Sequence, residues 1–423
     1  MVDASTETAS APAAPPSACR ALDVLVVAPR FPYPLDQGDR LTIYHLLRHF
    51  ASRGHRLHLV TFVKGEDEVA QRGRIEPWCA SLRLVPLRAW PRRVNLVLGP
   101  LRGQPFQVAY YRSPLMNQAI EEALQQEQPD IGYVHLLRMA EYLARRDGLP
   151  RIVGIQASPT LTTQRLVERA ATLKDRLKWS LEHRLVRRLE PRLAAAYDRS
   201  LFISEHDLQA ASRHGPIHNA VLHPHGVDVE HFAPRAAAAR LPGRIVMTGN
   251  LGYAPNVDAA VWFATEVLPL VQREVPGAQF VLAGARPAPA VQALAERPGV
   301  VVTGWMEDLR DALAAAEVAV APLRIASGLQ NKVLEALAMG TPMVITNWAN
   351  EGLRMPADIV CLADEPGAFA AAVIELLQDR GAAEAMAARA REYIVREWSW
   401  ERHFADLEAL MLELCEGQAS GVR

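Results

Sequence analysis

Four cysteines in 423 residues, Cys19, Cys79, Cys361 and Cys415, are too few and too scattered for a disulfide framework, and no Cys-x-x-Cys spacing offers a structural zinc site. That usage fits a reducing cytoplasm. No charge of one sign prevails either: 46 Lys/Arg face 47 Asp/Glu, and the net charge of -1 lacks the basic signature of a nucleic-acid binder. No run of about 18 apolar residues occurs, so no transmembrane helix is expected. Residues 1 to 20, rich in Ala, Ser, Thr and Pro, have neither the basic start nor the apolar run of a signal peptide and read as a disordered tail. Asp-x-Asp is missing as well. The acidic groups Glu66-Asp67-Glu68 and Asp308-x-x-Asp311 read as solvated charge, and no metal site is expected.

What is present is a rhythm of short apolar runs alternating with helical segments. Val24–Ala28, Leu57–Phe62, Leu82–Pro86, Ile131–His135, Arg151–Ile155 and Arg199–Ile203 read as buried strands of a first half. Runs beginning at Ile245, Phe280, Val300, Val318, Met343 and Ile359 repeat the pattern in a second. Such alternation predicts α/β architecture with parallel sheets covered on both faces. The interruption by Pro234, an alanine run and Gly243 places a seam near residues 230 to 243. The expected division is therefore a tail over 1–20, a first Rossmann-like domain over 21–233, a second over 234–397, and a last helix over 398–423, opened by Trp398, Trp400, His403 and Phe404, that packs back on the first.

The segment Ala321–Thr346 is the most informative. A buried strand leads through a glycine loop into a helix carrying Lys332 and Glu335, then into a second strand. Residues three apart share a helix face, so the ammonium and carboxylate point the same way. A helix N-terminus and a lysine suit a diphosphate, and a carboxylate suits ribose hydroxyls, which together describe a sugar nucleotide.

Pro322-Leu-Arg-x-x-x-Gly328-x-x-x-Lys332-x-Leu-Glu335-Ala-Leu-Ala-x-Gly340-x-Pro342 resembles the donor segment of glycosyltransferase family 4, retaining enzymes of the GT-B fold with two Rossmann-like domains. Three further matches fall in the order that family requires. Phe31–Leu41 and the helix after it resemble the N-terminal glycine loop, and His223–Phe232 resembles the hinge strand, with His225 where Asn is usual. Thr248–Asp258 resembles the opening of the second domain in the sugar transferases of exosortase (PEP-CTERM) exopolysaccharide systems.

The resemblance implies a cytoplasmic enzyme that moves a sugar from a nucleotide-diphosphate donor, without metal or other cofactor, to an exopolysaccharide or lipid-linked glycan intermediate. It implies a donor site from Gly38, Asp39, Arg40, Gly249, Asn250, Asn256, Arg324, Ser327, Gly328, Leu329, Gln330 and Asn331, with catalytic roles for Lys332 and Glu335. Asp130-Ile-Gly-Tyr-Val-His135 resembles the family strand Asp-Val-x-His-x-His and puts His135 where a histidine faces the reacting sugar. Two departures stand out. Ser327 occupies the position, eight before Glu335, where many members carry a first glutamate, and Asn250 and Asn256 stand where Arg and Lys are usual. Two alternatives stay open: a nucleotide-sugar epimerase of the same fold, and a catalytically silent, membrane-associated assembly factor.

One local bias runs against the balanced whole. No Asp or Glu occurs from Pro77 to Ile120, while Arg88, Arg92, Arg93 and Arg102 alternate with Trp90, Leu96, Val97, Leu98 and Phe106. From Arg165 to Arg192, nine Lys/Arg face four Asp/Glu. Both stretches fit peripheral contact with an anionic membrane surface, with the four arginines at the head groups. Solvated basic faces of a soluble domain fit them as well.

Overall fold

The computed structural model describes residues 20–421 apart from 36, 147, 169, 171, 236–239 and 326–328, so the tail expected over 1–20 lies almost wholly outside the described residues. The chain forms two compact units, Met1–Pro224 joined by His403–Arg423, and His225–Arg402. It passes from one to the other after Pro224 and returns after Arg402, where the sequence pattern placed the changes at 233/234 and 397/398.

In the first unit β1 (Asp23–Ala28), β2 (Arg56–Val63), β3 (Ser81–Pro86), β4 (Ile131–His135), β5 (Arg151–Gln156), β6 (Arg199–Phe202) and β7 (Ala220–Leu222) form one sheet in the order β3-β2-β1-β4-β5-β6-β7. Every pairing is parallel. Parallel strands need a crossover between them and are covered on both faces, which is why Val24–Ala28 is apolar at each position and fully buried. β7 has no counterpart in the sequence reading, because three half-exposed edge residues make too short a run. The strand expected over His223–Phe232 does not form. Pro224 has no N–H to give a ladder, and only an isolated bridge pairs Val227 with Ser399.

Five helices of this unit matter below: α1 (Gly38–Ser52), α2 (Ala89–Leu101), α3 (Phe106–Tyr111), α4 (Pro159–Glu168) and α5 (Leu173–Ala195). α1 buries Ile43, Leu46, Leu47 and Phe50 at helical spacing, and Gly54 at φ 88° lets the chain turn left-handed into β2. The buried face of α5 carries two glutamates. Glu182 accepts from the amides of Phe106 (2.6 Å) and Gln107 (3.2 Å) and so caps α3; Glu190 accepts from Ser158 Oγ and the Thr160 amide, both at 3.0 Å, and caps α4.

The second unit repeats the plan with β8 (Arg244–Thr248), β9 (Gln279–Ala283), β10 (Val300–Gly304), β11 (Val318–Ala321), β12 (Met343–Ile345) and β13 (Cys361–Leu362), parallel throughout in the order β10-β9-β8-β11-β12-β13. β13 is shorter than expected because Ile359 is taken into a turn, its amide donating to Pro356 O. α6 (Ala254–Trp262) and α7 (Asn331–Ala338) border the carboxyl edge of this sheet. The final helix, α8 (Trp400–Gly421), belongs to the first unit from His403 onward. There Phe404 is fully buried beside Phe50, and Glu408 accepts from Arg53 Nε (3.1 Å) and His55 Nε2 (3.0 Å). His55 Nδ1 accepts the Leu22 amide at 3.0 Å, so Nε2 carries the hydrogen that reaches Glu408.

Burial raises the Glu190 carboxyl to about 7 despite its hydrogen bonds. Its folded pKa lies above its unfolded value, so its favourable contribution is complete below about 4.5 and is lost as pH rises through 7. Glu190→Gln should therefore gain thermal stability over the parent chain between pH 5 and pH 8. A melting-temperature difference that stays constant over that interval would remove Glu190 as the titrating group.

Candidate active site

The backbones at the ends of β8 and β9 approach closely. The Gly249 amide donates to Ala283 O at 3.1 Å, and a Cβ placed on Gly284 would fall 1.7 Å from Gly249 O, so no side chain fits at 284. Gly249 itself is at φ 135°, and a Cβ there would lie 3.4 Å from Lys332 Nζ. The ammonium thus rests over the strand end.

Lys332 comes from the first turn of α7. Its Nζ donates to Asn256 Oδ1, while Asn256 Nδ2 donates to Asn250 O at 2.8 Å, so the buried amide is oriented with its oxygen toward the cation. Asn250 Oδ1 in turn accepts from the Gly252 amide at 3.0 Å. Sequence placed Gly249, Asn250, Asn256, Lys332 and Glu335 in one site, and the structure brings the first four into direct contact, with Glu335 one turn further along α7. Exclusion from water dominates both ionisable groups: it lowers the Lys332 ammonium to about 8 and raises the Glu335 carboxyl to about 7, each shift partly offset by the other's charge.

Arg324, expected at the donor, lies at the same edge but already has a partner. Its Nε donates to Asp258 Oδ2 at 3.0 Å, Nη2 meets Oδ1 at 2.5 Å, and the guanidinium lies 5.9 Å from the Trp262 ring. α6 thus holds both cations, Lys332 through Asn256 and Arg324 through Asp258. Leu329, Gln330 and Asn331 lead into α7, while Ser327 and Gly328 lie outside the described residues. Sequence reasoning missed three exposed aromatics beyond the ends of β8, β10 and β12: Tyr253, Trp305 and Trp348. The available signal was an aromatic within two residues of a turn at a strand end.

In the first unit Gly38 opens α1, and a Cβ there would meet open space. Asp39 lies 3.5 Å from Arg30, and Arg40 is buried with Nη2 2.6 Å from Glu68 Oε1. His135 is fully buried at the end of β4, its ring stacked on Tyr133 and Nδ1 3.3 Å from the tyrosine hydroxyl. Arg88, Arg93 and Arg102 are exposed as expected, but Arg92 turns inward and donates to Tyr110 OH at 2.6 Å.

The acidic groups set aside in sequence also have structural partners: Glu68 holds Arg40, and Asp308 holds Arg235 and Arg310. Among the described residues no three His, Cys, Asp or Glu side chains gather in a way that could hold a metal ion. No helix of the described residues is long and apolar enough to cross a membrane.

Residues 38–231 match the family model described as Glycosyltransferase Family 4, and residues 242–379 the model described as Glycosyl transferases group 1. A curated relative from Mycobacterium tuberculosis, a GDP-mannose-dependent alpha-(1-6)-phosphatidylinositol monomannoside mannosyltransferase, is 31% identical over 238 residues, covering 50% of this chain and 59% of its own. The match thus spans about three fifths of that relative's length. Among solved structures, the sucrose-phosphate synthase of Thermosynechococcus elongatus superposes with a TM-score of 0.66 at 15% identity, covering 93% of this chain and 99% of its own. Anabaena Alr3699/HepE, in complex with UDP and glucose, gives 0.62 at 12% identity over 92% and 99%. The likeness to these two is one of fold, GT-B, with a parallel sheet in each unit.

Gly284→Ala should lower folding stability by about 1–3 kcal/mol or more, because the added methyl collides with backbone that cannot rotate away. Denaturant unfolding checks this. A variant as stable as its parent would show that the close approach of β8 and β9 is dispensable.

Proposed function

We propose, for a chain that belongs to the family 4 glycosyltransferases, that it transfers a sugar from a nucleoside-diphosphate donor to a glycan or lipid-linked glycan intermediate with retention at the anomeric carbon and without a metal ion. The observation that carries this reading is the Lys332 ammonium held over Gly249 by Asn256, with the Glu335 carboxylate one turn along the same helix. A diphosphate beside Lys332 meets a fixed cation close to the N-terminus of α7, which serves the role a divalent ion would otherwise fill. Glu335 accepts hydrogen bonds from the ribose hydroxyls. Tyr253, exposed just after Gly249 at the end of β8, offers a flat face to the base.

In the transfer, the bond between the anomeric carbon and the diphosphate oxygen breaks and its electron pair leaves with the diphosphate. The acceptor oxygen bonds to the same carbon on the face just vacated, and its proton passes to the departing phosphate. Lys332 stabilises the charge that develops on that phosphate. The curated mycobacterial relative is described as acting on a phosphatidylinositol glycan, which supports a lipid-linked acceptor here.

Titration with UDP-, GDP- and ADP-sugars, followed by anomeric NMR of the product, tests the reading. Products of inverted configuration would overturn retention, and activity lost on chelation and restored by metal would overturn metal independence. A chain that bound no nucleotide sugar would be the silent assembly factor instead. Glu335→Ala should weaken donor binding by about 1–3 kcal/mol without unfolding the protein; unchanged affinity would take Glu335 out of the site.

The Lys332 ammonium is held down to about 8 in the free protein, and an anionic diphosphate raises it on binding. Donor binding should therefore take up a proton and weaken as pH rises above about 8. Calorimetry in buffers of different ionisation enthalpy measures this uptake. Lys332→Met should show none, and uptake that survives in that variant would assign the proton to another group.

A further inference from the structure

Two surface helices of the first unit carry apolar rows that face outward. A helix on a globular surface normally turns its apolar row inward and its polar row to water. On α2 the outward row is Trp90, Val94, Val97, Leu98 and Leu101, with Trp90 74% exposed, Val97 66% and Leu101 80%. Arg92 and Asn95 face the protein instead. Arg92 donates to Tyr110 OH and lies 5.0 Å from that ring, and Asn95 Nδ2 donates to Arg112 O at 2.9 Å. The inward row includes Gly99, where a Cβ would fall 2.4 Å from Ala109 Cβ on α3.

α5 also carries an exposed apolar row. Its buried face holds Val186 and Leu193 beside Glu182 and Glu190, while Leu173, Leu177 and Leu181 near its start stand exposed at four-residue spacing, the first two 74% and 64% open. Exposed Arg184 and Arg188 follow further along the helix. Glu182, capping α3, ties α5 to the α2–α3 pair, so both apolar rows ride on one packed group of helices.

We propose that this face docks on an anionic lipid bilayer, with α2 lying in the interface, its outward row entering the boundary between head groups and acyl chains, and Arg88, Arg93 and Arg102 on lipid phosphates. The charge pattern selects this occupant. Between Pro77 and Ile120 no carboxylate repels an anionic surface, and all three arginines are exposed. A second copy of the chain, packed on the same face by a two-fold axis, would set arginine against arginine. A tryptophan at one end of the row suits an interface that is apolar on one side and wet on the other. The docking deepens the reading of a lipid-linked acceptor, and it is read without donor or acceptor, so either idea can fail alone.

The test is sedimentation with vesicles of phosphatidylcholine alone or mixed with phosphatidylglycerol. The parent chain should bind the mixed vesicles, keep part of that binding in about 0.5 M salt where head-group attraction is screened, and show tryptophan quenching by brominated acyl chains that Trp90→Phe largely removes. The double variant Val97→Glu with Leu101→Glu changes only exposed positions. It should keep its melting temperature and lose about tenfold or more in partitioning. Arg88→Gln with Arg93→Gln and Arg102→Gln should lose mainly the salt-sensitive part. Docking is overturned if the parent chain ignores anionic vesicles, or if the double glutamate variant binds as well as the parent. Binding abolished by salt without bromolipid quenching overturns insertion, and a dimer in place of vesicle binding, broken by the glutamates, assigns the face to a second copy.

Discussion

Parallel pairing is the constraint from which the rest of each unit follows. Because every strand of a sheet runs the same way, each connection must cross a face of the sheet, and all carboxyl ends collect along one edge. In the second unit that edge holds Gly249, Gly284, Arg324 and the start of α7 in Asn331 and Lys332, residues up to 83 positions apart in sequence. Side chains have no other place to converge, since the strand interiors are given over to apolar packing.

At that edge two cations are held by one helix in different ways. Arg324 meets a carboxylate, Asp258, and its charge is compensated. Lys332 meets a neutral amide and a carboxyl itself kept from water, so its charge is incompletely answered. A cation in that condition gains most from an arriving anion. The two basic residues of one sequence motif thus differ in how far their charge is compensated.

Much of the fold was legible because buried parallel strands must be apolar at consecutive positions, which is how Val24–Ala28 and Val318–Ala321 announce themselves. β7 was not, since an edge strand needs neither length nor apolarity. In the candidate site, Lys332 and Glu335 were legible because their relation is local, three residues on one helix. The pairings of Arg324 with Asp258 and Arg40 with Glu68 were not, as each joins residues 66 and 28 apart that periodicity cannot connect. The basic span after Pro77 was visible as composition, but which of its side chains face inward depends on Tyr110 and Ala109 in the neighbouring helix. Arg92 looked like its neighbours until that packing was known.

The contact of Glu408 with His55 and Arg53 bears on the order in which the chain is completed during synthesis. His55 is buried and offers its Nε2 hydrogen to a carboxylate 353 residues later. The second unit is continuous from His225 to Arg402 and has all its residues before Glu408 leaves the ribosome. The first unit, though translated first, must wait with a polar group of its core unanswered until the last helix arrives. All seven strands of its sheet are translated before His225, yet the unit that they belong to is complete only when α8 arrives.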